Sequence, residues 1–205
     1  VSESLTDALW YLARGTGLTA LVLLTVVMVL GVGSRSGRPV FGLPRFAVAA
    51  VHRNASLIAL GLVAVHMTSL FLDKYAQLRF VDLLVPFGAV YRPLWVGFGT
   101  LAADMLFVVI ATSLLRMRVG VRTWRTVHWI SYALWPAAWF HGFFSGTDGD
   151  QGWLKIVVFA CAAVVAAAVV WRLLPTFTEA AGLRTEPRQA DRPAATASRG
   201  GRHSL

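Results

Sequence analysis

Residues 47–72 read AVAAVHRNASLIALGLVAVHMTSLFL, from Ala47 to Leu72. A helix needs about 20 apolar residues to cross a bilayer, and this run is long enough. Its formal charge is confined to Arg53, close to one end, yet it contains His52 and His66, 14 residues apart. Ionisable side chains are costly inside a membrane and point to function when they occur there. The stretch therefore reads as a transmembrane helix that carries working groups.

Four further apolar stretches surround it: 9–32, containing Arg14; 94–115, with Asp104 near its middle; 126–144, rich in Trp and Phe; and 153–174, mostly Ala and Val. Each is near spanning length, so the expected fold is an all-α integral membrane bundle of about five transmembrane helices. With 57% hydrophobic and 14% charged residues, the chain has too little polar surface to cover a soluble domain. A disordered chain, a disulfide scaffold and an ordinary cytosolic enzyme are excluded. Five spans use roughly 100–115 of the 205 residues, so activity is expected inside the bundle or from a partner. The first ten residues carry no basic segment, and no cleaved leader is expected. Cys161 reads as a small buried apolar residue.

Charge sets the orientation. The 19 Lys and Arg against 10 Asp and Glu give a net charge of +9. In a soluble protein this would suggest nucleic acid; here the basic residues fall in loops and suit lipid headgroups instead. Arg35, Arg38 and Arg45 follow the first stretch, and Arg116, Arg118, Arg122 and Arg125 precede the fourth. The intervening ends are mixed or acidic, with Asp148 and Asp150 in the fourth loop. By the positive-inside rule the N-terminus faces out and the C-terminus in, in a multi-pass plasma membrane protein of bacterial inner-membrane type. Residues 1–175 are expected to form the bundle and 176–205 a disordered, basic cytoplasmic tail, with His203 idle in it. A short interfacial helix is expected within 75–85, above the outer ends, where a partner could dock.

The remaining two histidines, His128 and His141, lie in the fourth stretch, 13 residues apart. Both histidine-bearing stretches enter from the cytoplasmic side, so His52 is level with His128 and His66 with His141. The two levels are separated by about 20 Å at 1.5 Å per residue. Two cross-helix imidazole pairs at two depths match two stacked haems, each iron (the metal) taking one histidine from each helix. With both axial positions filled by protein, such haems transfer electrons rather than bind substrate. Zinc is a poorer match, because about 20 Å separates the pairs and no carboxylate lies at matching depth. On an ideal helix 14 residues return to within about 40° of the start, whereas 13 end roughly 140° away. Pro136 lies between His128 and His141 and is the expected place for a kink that re-aims one end.

Arg53 and Arg125, near the inner pair, and Arg14, near the outer one, are candidate partners for haem propionates; snorkelling to headgroups is the alternative. Asp104 has a proton-relay reading and a structural one. Trp129, Trp135, Trp139 and Phe140 either wall the haems or simply pack, and Thr112 and Ser113 read as satisfying backbone.

These residues resemble the ferric reductase-like transmembrane family, which includes the membrane cores of ferric-chelate reductases and NADPH oxidases and the haem-binding subunit of the methionine sulfoxide reductase system. The likeness is carried by His52 with His66, by His128 with His141, by Trp124-Arg125-Thr126-Val127-His128 and by Arg14-Gly15-Thr16-Gly17-Leu18. It covers roughly 8–150. It implies two b-type haems and electron transport across the membrane, with His52 and His128 on the inner haem and His66 and His141 on the outer. The eukaryotic reductases carry a flavin and nicotinamide domain after the bundle, and no dinucleotide fingerprint occurs here. Electrons are therefore expected from a separate flavoprotein or another redox subunit, or from a quinol feeding an outer-face reductase. The direction of flow stays open. So do readings of another class, a non-redox transporter, an assembly subunit or a structural anchor, each of which predicts a colourless protein.

Overall fold

The computed structural model describes residues 3–36, 42–73, 76–146 and 151–174. The described residues form helices and no strand: α1 (Glu3–Arg35), α2 (Arg45–Leu72), a short 3-10 turn (Phe80–Leu83), α3 (Pro93–Leu114), α4 (Arg116–Val119), α5 (Val121–His128), α6 (Ser131–Phe144) and α7 (Gly152–Leu173). The protein is an all-α membrane bundle. Helices α1, α2, α3 and α7 are each long and apolar enough to cross a bilayer. The expected tail, 176–205, and Asp148 and Asp150 lie outside the described residues.

Helices α1 and α2 pack along most of their length, and α3 lies against α6. Between them a core forms from Leu24 and Met28 of α1, Ala59 of α2, Leu106 and Ile110 of α3, Leu134 and Trp135 of α6, and Cys161 and Val165 of α7. Ala59 is fully buried, and its small side chain lets neighbouring helices close in. Cys161 is a buried free thiol, as expected for a small apolar filler.

The fourth apolar stretch differs from expectation. Instead of one helix over 126–144 it is two, α5 and α6, joined at Trp129 and Ile130. Around the joint the backbone is overwound: Trp129 N–H bonds to Thr126 O, Ile130 to Val127, Tyr132 to Trp129 and Ala133 to Ile130, all i→i−3. A 3-10 residue turns about 120° and rises about 2.0 Å, against about 100° and 1.5 Å in an α-helix. Four or five such residues add roughly 80–100°, which cuts the 140° mismatch to about 40–60° and lengthens the 13-residue step to about that of 14. The rotation that brings His141 into phase with His66 thus arises at this joint. Pro136 lies beyond it, inside α6.

The segment between α2 and α3 folds onto the far end of the bundle. The interfacial element within 75–85 is the 3-10 turn and no longer helix. Asp82, 2% exposed, accepts from Arg79 N, Nε and Nη2 at 2.9, 3.1 and 2.8 Å. Thr100 Oγ1 on α3 donates to the Asp82 carbonyl at 2.9 Å. Arg92, at φ 41°, starts α3 and donates from Nη1 to Phe144 O at 2.6 Å, tying the segment to the end of α6.

Candidate functional site: two histidine pairs at two depths

The structure brings together the four intramembrane histidines in the pairs anticipated from depth. His52 on α2 faces His128 on α5, with ring centroids 6.2 Å apart and planes crossing at 61°. His66 on α2 faces His141 on α6, at 6.0 Å and 79°. A metal–imidazole bond is about 2 Å long. Each ring centroid lies about 1 Å behind its nitrogen, so two imidazoles on opposite sides of one metal ion stand about 6 Å apart. Both pairs have this separation. Among the described residues no group of three or more His, Cys, Asp or Glu gathers to hold a metal ion. Two protein ligands per site suit a macrocycle that brings the remaining donors itself.

Three of the rings are held in one way. His52 Nδ1 lies 3.0 Å from Val27 O, His66 Nδ1 2.7 Å from Ala13 O, and His141 Nδ1 2.9 Å from Trp95 O. A carbonyl only accepts, so Nδ1 carries the proton and Nε2 keeps its lone pair for a metal. Such outer-shell bonds orient the ring. His128 is the exception: its Nδ1 is buried and has no hydrogen-bond partner. The Trp124 ring lies beside it at 5.3 Å.

A cavity of about 960 Å³ opens at the His52/His128 end. Its lining includes both histidines and six arginines, Arg35, Arg45, Arg53, Arg116, Arg125 and Arg172, and among the described residues no aspartate or glutamate. An apolar slot with a cationic rim suits a flat hydrophobic ligand with carboxylate arms. Arg53 and Arg125 both line this cavity. Arg14 adjoins Ala13, the acceptor for His66, so it is level with the far pair; it is half-buried and stacks over Trp10 at 4.4 Å.

The aromatic residues separate by environment. Trp135 is buried in the core between the two depths and donates from Nε1 to Thr25 Oγ1 at 3.1 Å. Trp139 turns toward α7, donating to Val158 O at 2.9 Å and stacking on Phe143. Trp129 is exposed beneath Arg172, whose Nη1 donates to Tyr132 Oη at 2.8 Å. Thr112 and Ser113 donate to helix carbonyls, as read from the sequence.

Four residues at the site were not anticipated as such: of the cavity arginines, Arg35, Arg45 and Arg116 were read only as topology signals and Arg172 was not singled out. Three glycines were missed as well. Gly17, Gly31 and Gly99 face the rings of His66, His52 and His141. A signal for two of them was present: Gly17 and Gly31 are 14 residues apart on α1, the interval that separates His52 and His66 on α2.

Helical bundle, intramembrane imidazole pairs and a cationic rim together define an integral membrane protein with two candidate cofactor sites. A family model, the ferric reductase like transmembrane component, matches residues 16–139. That is more than half of the chain, and the protein belongs to this family. No curated protein and no solved structure matches it.

Proposed function

We propose that this chain is a b-type dihaem membrane cytochrome that carries electrons between a separate donor and an acceptor on the outer face. The observation that carries the reading is the repeated pair geometry, two imidazole pairs 6.2 and 6.0 Å apart, one between α2 and α5 and one between α2 and α6. Domains of this family commonly bind haem. When bound, haem supplies one-electron redox chemistry.

The protein's own residues hold and insulate. His52 and His128 would hold one haem at the basic end, and His66 and His141 would hold the other at the far end. Arg53 and Arg125 would meet carboxylate arms at the basic end, and Arg14 at the far end. The core of Leu24, Met28, Ala59 and Trp135 keeps the gap between the two levels dry. By the positive-inside rule the arginine-lined cavity faces the cytoplasm, in a plasma membrane of bacterial type. Residues 1–175 form the electron-carrying unit and 176–205 a cytoplasmic tail. The donor is a separate flavoprotein or a quinol.

Reconstitution into liposomes tests this. With ferricyanide trapped inside and dithionite outside, protein-loaded vesicles are expected to reduce the trapped oxidant, and His66→Ala vesicles to lose that activity. A colourless protein after expression with ample haem, or vesicles no more active than protein-free ones, would return the histidines to a non-redox role.

A further inference from the structure

The three carbonyl-bound histidines share a second feature. Each acceptor carbonyl belongs to the residue four before a glycine: Ala13 before Gly17, Val27 before Gly31, Trp95 before Gly99. In an α-helix that carbonyl already accepts from the glycine's own N–H. Its second lone pair lies on the helix surface, where a side chain at the glycine position would cover it. A Cβ at Gly99 would sit 2.5 Å from His141 Nδ1, and one at Gly17 2.9 Å from both Nδ1 and Cε1 of His66. At Gly31 the approach is looser, 3.3 Å to His52 Cε1. Glycine is otherwise disfavoured within a helix.

We propose that Gly17, Gly31 and Gly99 are positioning residues for electron transfer. Each bares a helix carbonyl so that one histidine can dock through Nδ1–H, which fixes the ring plane and leaves Nε2 as the ligand atom. The inference rests on the reading of the four histidines as haem ligands. It explains Gly17 within the Arg14–Leu18 segment and separates it from Gly15, which faces open space.

The fourth position completes the pattern by its difference. Fourteen residues after Gly99 on α3 stands Ser113, which lines the cavity with His128. Val109, four before it, has its carbonyl covered: Ser113 Oγ donates to it at 2.6 Å. Ser113 Oγ also accepts from Trp124 Nε1 at 3.1 Å. The seat that a glycine would open is closed, and His128 Nδ1 is left without a partner.

The test uses full-length protein purified with its haem. Gly17→Ala, Gly31→Ala, Gly99→Ala and the control Gly15→Ala are compared with wild type and His66→Ala for haem per chain and for low-temperature electron paramagnetic resonance of the ferric state. That signal depends on the angle between the two imidazole planes, so it reports ring position and not folding alone. Gly17→Ala and Gly99→Ala are expected to lose the far-end haem, or to shift its signal, while the basic-end signal stays. Gly31→Ala is expected to keep both haems and shift only the basic-end signal, and Gly15→Ala to match wild type. A double variant covers the case of poor folding. If Gly17 acts through the His66 ring, adding Gly17→Ala to His66→Ala lowers the melting temperature no further. Wild-type haem content and signals in both Gly17→Ala and Gly99→Ala, with His66→Ala losing a haem, would overturn the proposal. So would an undiminished loss of stability in the double variant. A His66→Ala protein that keeps both haems would instead defeat the ligand assignment itself.

Discussion

The two histidine pairs share α2 and have nearly the same ring separation, one completed from α5 and the other from α6, yet they are held differently. At the far end both rings are docked, His66 on the Ala13 carbonyl and His141 on that of Trp95. The loop tied down by Arg79, Asp82 and Arg92 closes over that end. At the basic end one ring is docked and one is not, and the pair opens onto a cavity ringed by six arginines. The difference coincides with the residues near the rings, glycine in one place and serine in the other. Two pairs of nearly the same separation are thus anchored unequally.

The largest effect expected is the loss of a whole centre. His66→Ala or His141→Ala should remove the far-end haem and leave the basic-end spectrum intact, and His52→Ala should do the reverse; pyridine haemochrome quantitation reads both. Cross-loss of the other centre would break the view that the pairs are separate sites.

A smaller effect tests the rigidity. His128 lacks a hydrogen bond of about 1 kcal/mol, the interhelical value in membranes, so exogenous imidazole should displace it at concentrations about fivefold lower than it needs elsewhere. Ser113→Gly combined with Thr112→Val, which together remove both hydroxyls from the Val109 carbonyl, should narrow that gap in a spectral titration. Equal displacement at both centres in wild type would erase the distinction.

Charge should mark the basic end more weakly still. Removing a cation disfavours the added electron, so Arg53→Gln and Arg125→Gln should each lower one midpoint potential, on the order of 40 mV for about 1 kcal/mol. The far-end midpoint should stay put in a potentiometric titration. Movement of the far-end midpoint alone would reverse the assignment of these arginines.

The smallest effect concerns the loop. Hydrogen bonds from Arg79 hold the Asp82 carboxyl below the usual aspartate range. A lowered folded-state value stabilises above the unfolded value of about 3.9 and is lost as pH falls through the lowered one. Asp82→Asn should therefore melt at a lower temperature than wild type at pH 7, and the two curves should converge in strong acid. A constant offset at every pH would remove the ion pair from the account.

The legible part of this molecule was its periodicity. Long apolar runs gave α1, α2, α3 and α7 to within a turn or two, and histidine depth gave both pairs. The joint at Trp129–Ile130 was not legible, because overwinding leaves no residue signature of its own; the mismatch of 13 against 14 showed only that something had to give. Pro136 lies inside α6, a few residues past the i→i−3 bonds of the joint. The glycine seats were hidden for another reason. A glycine in an apolar helix has many uses, and only the facing helix tells that Gly17 lies opposite His66. Arg35 and Arg172 are separated by most of the chain, and the fold alone brings them to one cavity.

The central claim is that each histidine pair holds one haem. Haem per chain, measured on the same preparations of wild type, His66→Ala and His128→Ala, tests it most directly. The account predicts two b-type haems in wild type and one in each variant, with the surviving haem differing between them. A single haem in wild type, or the same haem lost from both variants, would contradict it.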